Sequence, residues 1–173
     1  MGKAGLIEGG TRWSRCWHTG QLSSLSGGFL AHPFTQHTVE APADPARVWA
    51  LWSDPASWPS FYPGLGSILA PAGFQANAPL ILAPARGGPR QRFEILAVEP
   101  GQAFTLVRKL FLATLRIHHR VEGCELGCRI HLRMEVEGPL KGLHLLLRGR
   151  SWKGAVPSLL RALAKKAQAA GGS

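Results

Sequence analysis

At 173 residues, with 45% apolar and 17% charged side chains, the chain can bury one core without metal or disulfide support, and it is not a disordered polymer. No apolar run approaches the roughly 20 residues that a membrane-spanning helix needs. The formal net charge of +10 is concentrated at one end: residues 139–173 hold seven bases and no acid, which suits a solvated helix face or attraction to phosphate, anionic lipid or nucleic acid.

Residues 1–34 are rich in glycine and serine without sustained periodicity, and read as a flexible N-terminal extension or an over-long translation start. They carry no secretory charge–apolar–cleavage pattern, and Leu6 stands where a myristoylation signal needs Ser or Thr. Their basic, nearly acid-free character leaves an organellar address open. The ordered domain is expected over 35–170, with 171–173 as a tail. Thr35 to Ala41 reads as a strand ended by Pro42. Asp44-Pro45 and Asp54-Pro55 each set a capping carboxylate before a proline at the first helical position, so two short helices are expected, the second reaching Trp58. Pro59 and Pro63 then leave Phe61 and Tyr62 in a loop.

Strand-like runs follow at 66–70, 78–83, 91–98, 104–112, 115–122 and 128–136. After Gly138-Pro139 the period changes: Trp152, Val156, Leu159, Leu160, Leu163 and Ala167 share one helical face, with Lys153, Arg161 and Lys165 elsewhere. Pro157 is expected to kink or break that helix. The last two strands form a hairpin whose register can be argued. A turn at Cys124-Glu125-Leu126-Gly127 sets Val121 opposite Ile130, Ile117 opposite Met134, Glu122 opposite Arg129 and Arg116 opposite Glu135. A slip of one residue would place charges on the apolar face and lose both ion pairs. Cys16, Cys124 and Cys128 have no metal-ligand spacing. A disulfide across the turn is conceivable, but reduced thiols in a cytoplasmic protein are the expectation.

Strand, two short helices, six antiparallel strands and a long final helix is the element order of the helix-grip fold. The stretch Val39-Glu-Ala-Pro-Ala-Asp-Pro-Ala-Arg-Val-Trp-Ala-Leu-Trp-Ser-Asp-Pro-Ala-Ser-Trp-Pro-Ser-Phe-Tyr-Pro-Gly64 resembles the opening of polyketide cyclase/dehydrase-like members of the START-like (SRPBCC) superfamily. His119-Arg-Val-Glu and Val136-Glu-Gly-Pro-Leu140 resemble the last strands and the entry to the final helix. The resemblance spans about residues 35–170. It implies an α+β fold in which an antiparallel sheet of about seven strands wraps around a long C-terminal helix. It also implies a cavity between them that in relatives holds lipids, sterols, quinones, hormones or polyketides. Fold alone does not assign an activity.

No His-x-Glu or Cys-x-x-Cys spacing, P-loop or Gly-x-Ser-x-Gly elbow occurs, so neither a metal nor a cofactor is expected. His118 and His131 lie on the outward face among Arg116, Arg120, Arg129 and Arg133, which would repel a cation. That stripe has no interleaved aromatics for base stacking, so nucleic acid is not expected as a partner. His119 falls on the inward face, where it is either a core histidine or a ligand contact, and its pKa should be low. With Ala113-Thr114 as a two-residue turn, Arg108 faces inward opposite His119; a one-residue change would send it outward. Such an Arg–His pair could hold a carboxylate or polarise a carbonyl. Trp58, Phe61, Tyr62, Phe93, Met134 and Trp152 are the remaining candidates for ligand contact, each equally explained as core. The expected partner is therefore a hydrophobic small molecule, with peripheral contact to anionic membrane through the basic helix. The rival expectation is a cyclase or dehydratase using His119, Arg108 and Tyr62.

Overall fold

Asp44 and Asp54 each set the start of a helical turn. In the computed structural model, which describes residues 34–170, Asp44 Oδ1 accepts a hydrogen bond from the Ala46 amide at 2.8 Å and starts α1 (Pro45–Ser53). Asp54 Oδ1 accepts from the Ala56 amide at 3.1 Å and starts a 3-10 turn, Pro55–Ser60. In both, the proline occupies a position whose N–H would have no intrahelical partner. The turn continues through Pro59, beyond the expected end at Trp58. The expected N-terminal extension, apart from Phe34, and the expected tail lie outside the described residues.

The strands are β1 (Thr35–Ala41), β2 (Leu65–Leu69), β3 (Pro79–Pro84), β4 (Gln91–Glu99), β5 (Ala103–Leu110), β6 (Ala113–Cys124) and β7 (Gly127–Glu137). They form one antiparallel seven-stranded sheet in the order β1-β7-β6-β5-β4-β3-β2. The long helix α2 (Lys141–Ala169) packs against β1, β7 and α1. Its buried stripe is Val156, Leu159, Leu160, Leu163, Ala164 and Ala167, and it meets sheet residues such as Ile130 and Leu132 in one core. This is the helix-grip arrangement. α2 runs through Pro157 without a break.

The β6–β7 register is the one the charge and apolar patterns require, with Val121 opposite Ile130 and Glu122 opposite Arg129. One ion pair differs. Arg116 lies opposite Glu135 but reaches diagonally to Glu137 at 2.7 Å, while Glu135 pairs with Arg133. Arginine is long enough to span the diagonal of a twisted sheet, so backbone register does not choose its partner.

The β5–β6 turn departs from expectation. It lies at Phe111-Leu112, not Ala113-Thr114, so Arg108 is opposite Leu115 and Phe104 is opposite His119. The cause is tertiary. Leu112 adopts a left-handed backbone (φ 48°), and its carbonyl accepts the Leu140 amide at 3.3 Å at the entrance to α2. Gly138 (φ 118°) permits this approach, because a Cβ there would lie 2.7 Å from the Leu112 oxygen.

Candidate functional site

Between the sheet and α2 lies a cavity of about 270 Å³. That is close to the small end of ligand pockets, which run from roughly 300 Å³ upward. Seven of the eight residues singled out from the sequence line it. Trp58, Phe61 and Tyr62 come from the 3-10 turn and the loop after it, Phe93 from β4, His119 from β6, Met134 from β7 and Trp152 from α2. The eighth, Arg108, does not line it. Its guanidinium stacks over Phe93, 5.6 Å from the ring centroid, and donates to Gln91 Oε1 at 2.6 Å. Arg108 thus stands on the inward face behind Phe93, four residues along the ladder from the expected place, and forms no pair with His119. Burial and the positive charge of Arg148 both lower its pKa from the ordinary value.

The partner of His119 is aromatic. Its ring stacks on Phe104 with centroids 4.2 Å apart and planes 4° from parallel, and it meets the edge of Trp52 at 5.6 Å. Phe104 is also in edge contact with Trp52 at 5.4 Å and Phe74 at 5.0 Å, so aromatic rings hold the imidazole plane in one orientation. The Trp58 indole N–H donates to the Trp52 carbonyl at 2.9 Å, which satisfies it internally and pins the 3-10 turn to α1. Trp52 and Phe104 line the cavity and were not among the sequence candidates. Their signal was present: Trp52 follows Val48 by one helical turn, and Phe104 shares the inward parity of Leu106.

Burial, reinforced by nearby His118, pushes the His119 pKa down to about 3. The imidazole is therefore neutral at ordinary pH. Backbone groups of Ile117 and Phe104 lie close enough to favour the charged form slightly, yet no protein group completes a hydrogen bond to the buried Nδ1. A buried polar atom without a partner costs free energy of order 1–3 kcal/mol, so it is rare unless something else satisfies it. Tyr62 is the other polar side chain of interest in the wall, and burial raises its hydroxyl pKa above the ordinary value.

The outward face of the sheet is more balanced than the stripe of arginines suggests. His131 pairs with Thr38 at 2.9 Å and with Glu122 at 3.1 Å. His118 pairs with Thr105 at 3.1 Å and lies 3.6 Å from Glu135. Arg129 bridges Glu40 at 2.9 Å and Glu122 at 3.4 Å. Alternating charges of this kind describe a solvated sheet surface. Among the described residues, no three His, Cys, Asp or Glu side chains gather as a metal site, and no helix is long and apolar enough to cross a membrane. Cys124 and Cys128 are free thiols.

Solved structures of similar fold share little sequence. The di-domain ARO/CYC StfQ of the steffimycin biosynthetic pathway is 12% identical with a TM-score of 0.65, over 80% of this chain and 51% of that one. The chain thus spans about half the length of that relative. A protein of Thermus thermophilus is 19% identical with a TM-score of 0.60, over 78% of this chain and 97% of that one. Ara h 8.0201 is 14% identical with a TM-score of 0.57, covering 78% and 97% respectively. No curated protein matches the sequence. These likenesses carry the fold alone, whereas residues 34–168 match the family described as polyketide cyclase / dehydrase and lipid transport, and the chain belongs to that SRPBCC-type, helix-grip family.

Proposed function

We propose that the domain binds and carries a hydrophobic small molecule in the cavity between sheet and α2, with the neutral His119 imidazole contacting a hydroxyl or carbonyl on an otherwise apolar ligand. The observation that supports this reading is the neutral His119 imidazole, which lines a wall of mainly aromatic and aliphatic side chains while no protein group satisfies its Nδ1. Trp58, Phe61, Tyr62, Phe93, Met134 and Trp152 supply the apolar contacts. Arg108, separated from the cavity by Phe93 and bonded to Gln91, stands outside this set of contacts. Exchange of such a ligand with an anionic membrane fits the same reading, because residues 139–173 carry seven bases and no acid. The free thiols of Cys124 and Cys128 accord with a cytoplasmic setting.

Cyclase or dehydratase chemistry is the second reading, favoured by Tyr62 lying in the same wall as His119. A base with a pKa of about 3 is far below the operating range of an effective general base near neutrality. The imidazole is better suited to orienting a ligand than to taking its proton.

Native mass spectrometry of protein purified without detergent, paired with tryptophan-quenching titrations using a fatty acid and a naphthoquinone, tests carriage. The expected result is a co-purifying apolar molecule and saturable quenching that His119→Leu weakens by about tenfold, the value of one well-placed hydrogen bond. Unchanged affinity in the variant for every bound probe would remove His119 from the site. Turnover of a bound polyketone without added cofactor would move the assignment to the enzyme.

A further inference from the structure

We propose that the tip of the β5–β6 hairpin and the first turns of α2 together form a docking surface for an anionic lipid bilayer. Phe111 and Leu112 are 74% and 56% exposed at the hairpin tip. Leu143, Leu146 and Leu147 are 48%, 80% and 70% exposed. Their spacing of three and four residues puts them on one stripe of α2. The two groups belong to one unit: His144 Nε2 bonds the Phe111 carbonyl at 2.9 Å, and the Leu140 amide donates to the Leu112 carbonyl at 3.3 Å. Such concentration of large apolar side chains in water is unusual for a surface without a partner.

Charge selects the occupant. Lys109, Lys141, Arg148 and Arg150 are exposed on the same two segments. Residues 100–114 of the hairpin and 139–173 contain no acid. Glu137, just before α2, is already held by Arg116 at 2.7 Å. A second copy of the chain would bring these cations against their own kind. An anionic headgroup layer receives them, while the leucines and Phe111 enter the boundary between headgroups and acyl chains. The surface rests on exposure and charge and does not depend on which ligand the cavity takes.

Co-sedimentation of the full chain with vesicles of phosphatidylcholine alone, and of phosphatidylcholine mixed with phosphatidylglycerol, tests the surface. The expected result is binding to the mixed vesicles that falls steeply with added salt. Leu146→Glu and, separately, Phe111→Ser should each reduce partitioning by about tenfold at an unchanged melting temperature, since both side chains are exposed. Wild-type binding that the two variants share, equal binding to both vesicle types, or no binding to either would overturn the proposal. So would sedimentation velocity showing a wild-type dimer that Leu146→Glu dissociates, because the surface would then belong to a second copy.

Discussion

His118 and His119 are neighbours in sequence and opposites in environment. His118 faces outward, where burial lowers its pKa, Glu135 opposes that shift, and Arg133 and Arg116 reinforce it. His119 faces inward onto Phe104 and is held at about 3. The sign of the pH dependence follows. As pH falls below about 6.5, the unfolded chain takes up a proton at residue 119 that the folded chain refuses until about 3. Stability should therefore decline across that window by an amount that the imidazole itself causes. In urea unfolding between pH 7 and pH 4, the midpoint of His119→Leu is expected to fall less than that of wild type. Parallel declines in the two proteins would show that position 119 is accessible to protons when folded.

At the scale of elements, α2 tolerates a residue that should break it. Pro157 has no amide hydrogen to give to the Lys153 carbonyl, and its ring crowds that turn. The helix nevertheless continues, held by the buried stripe from Val156 to Ala167 on the sheet. Pro157→Ala is expected to raise stability by about 1 kcal/mol, a few degrees in melting temperature for a domain of this size. Ala155, Val156, Ser158 and Leu159 flank the proline and line the cavity, so the same variant should alter ligand affinity. A lower melting temperature would mean that the proline's geometry itself fits α2 to the sheet.

For the molecule as a whole, β1 begins at Thr35, the Phe34 amide is already bonded to the Met134 carbonyl at 2.9 Å, and the family match starts at residue 34. We expect deletion of residues 1–33 to leave thermal unfolding of the remainder little changed. A fall of more than about 4 °C, the equivalent of ~1 kcal/mol or more, would assign those residues a stabilising role.

Local chemistry written into the chain was enough for much of this fold. The two Asp-Pro caps, the period of two through β6 and β7 and the helical period after Gly138 each depend on near neighbours or on a hairpin closed by a short turn. The register of β6 against β7 was legible because a single slip would have buried charges. The inward parity of His119 and Met134 came from the same alternation. What only the tertiary structure decided lies where distant segments meet. Ala113 could not be recognised as strand without the contact between Leu112 and the start of α2, and that shift gave His119 a phenyl ring for a partner in place of a guanidinium. The continuity of α2 through Pro157 depends on burial against the sheet, which local propensity does not contain. The exposed tip at Phe111 and Leu112 joins the leucines of α2 only because the fold brings two segments some 30 residues apart onto one surface.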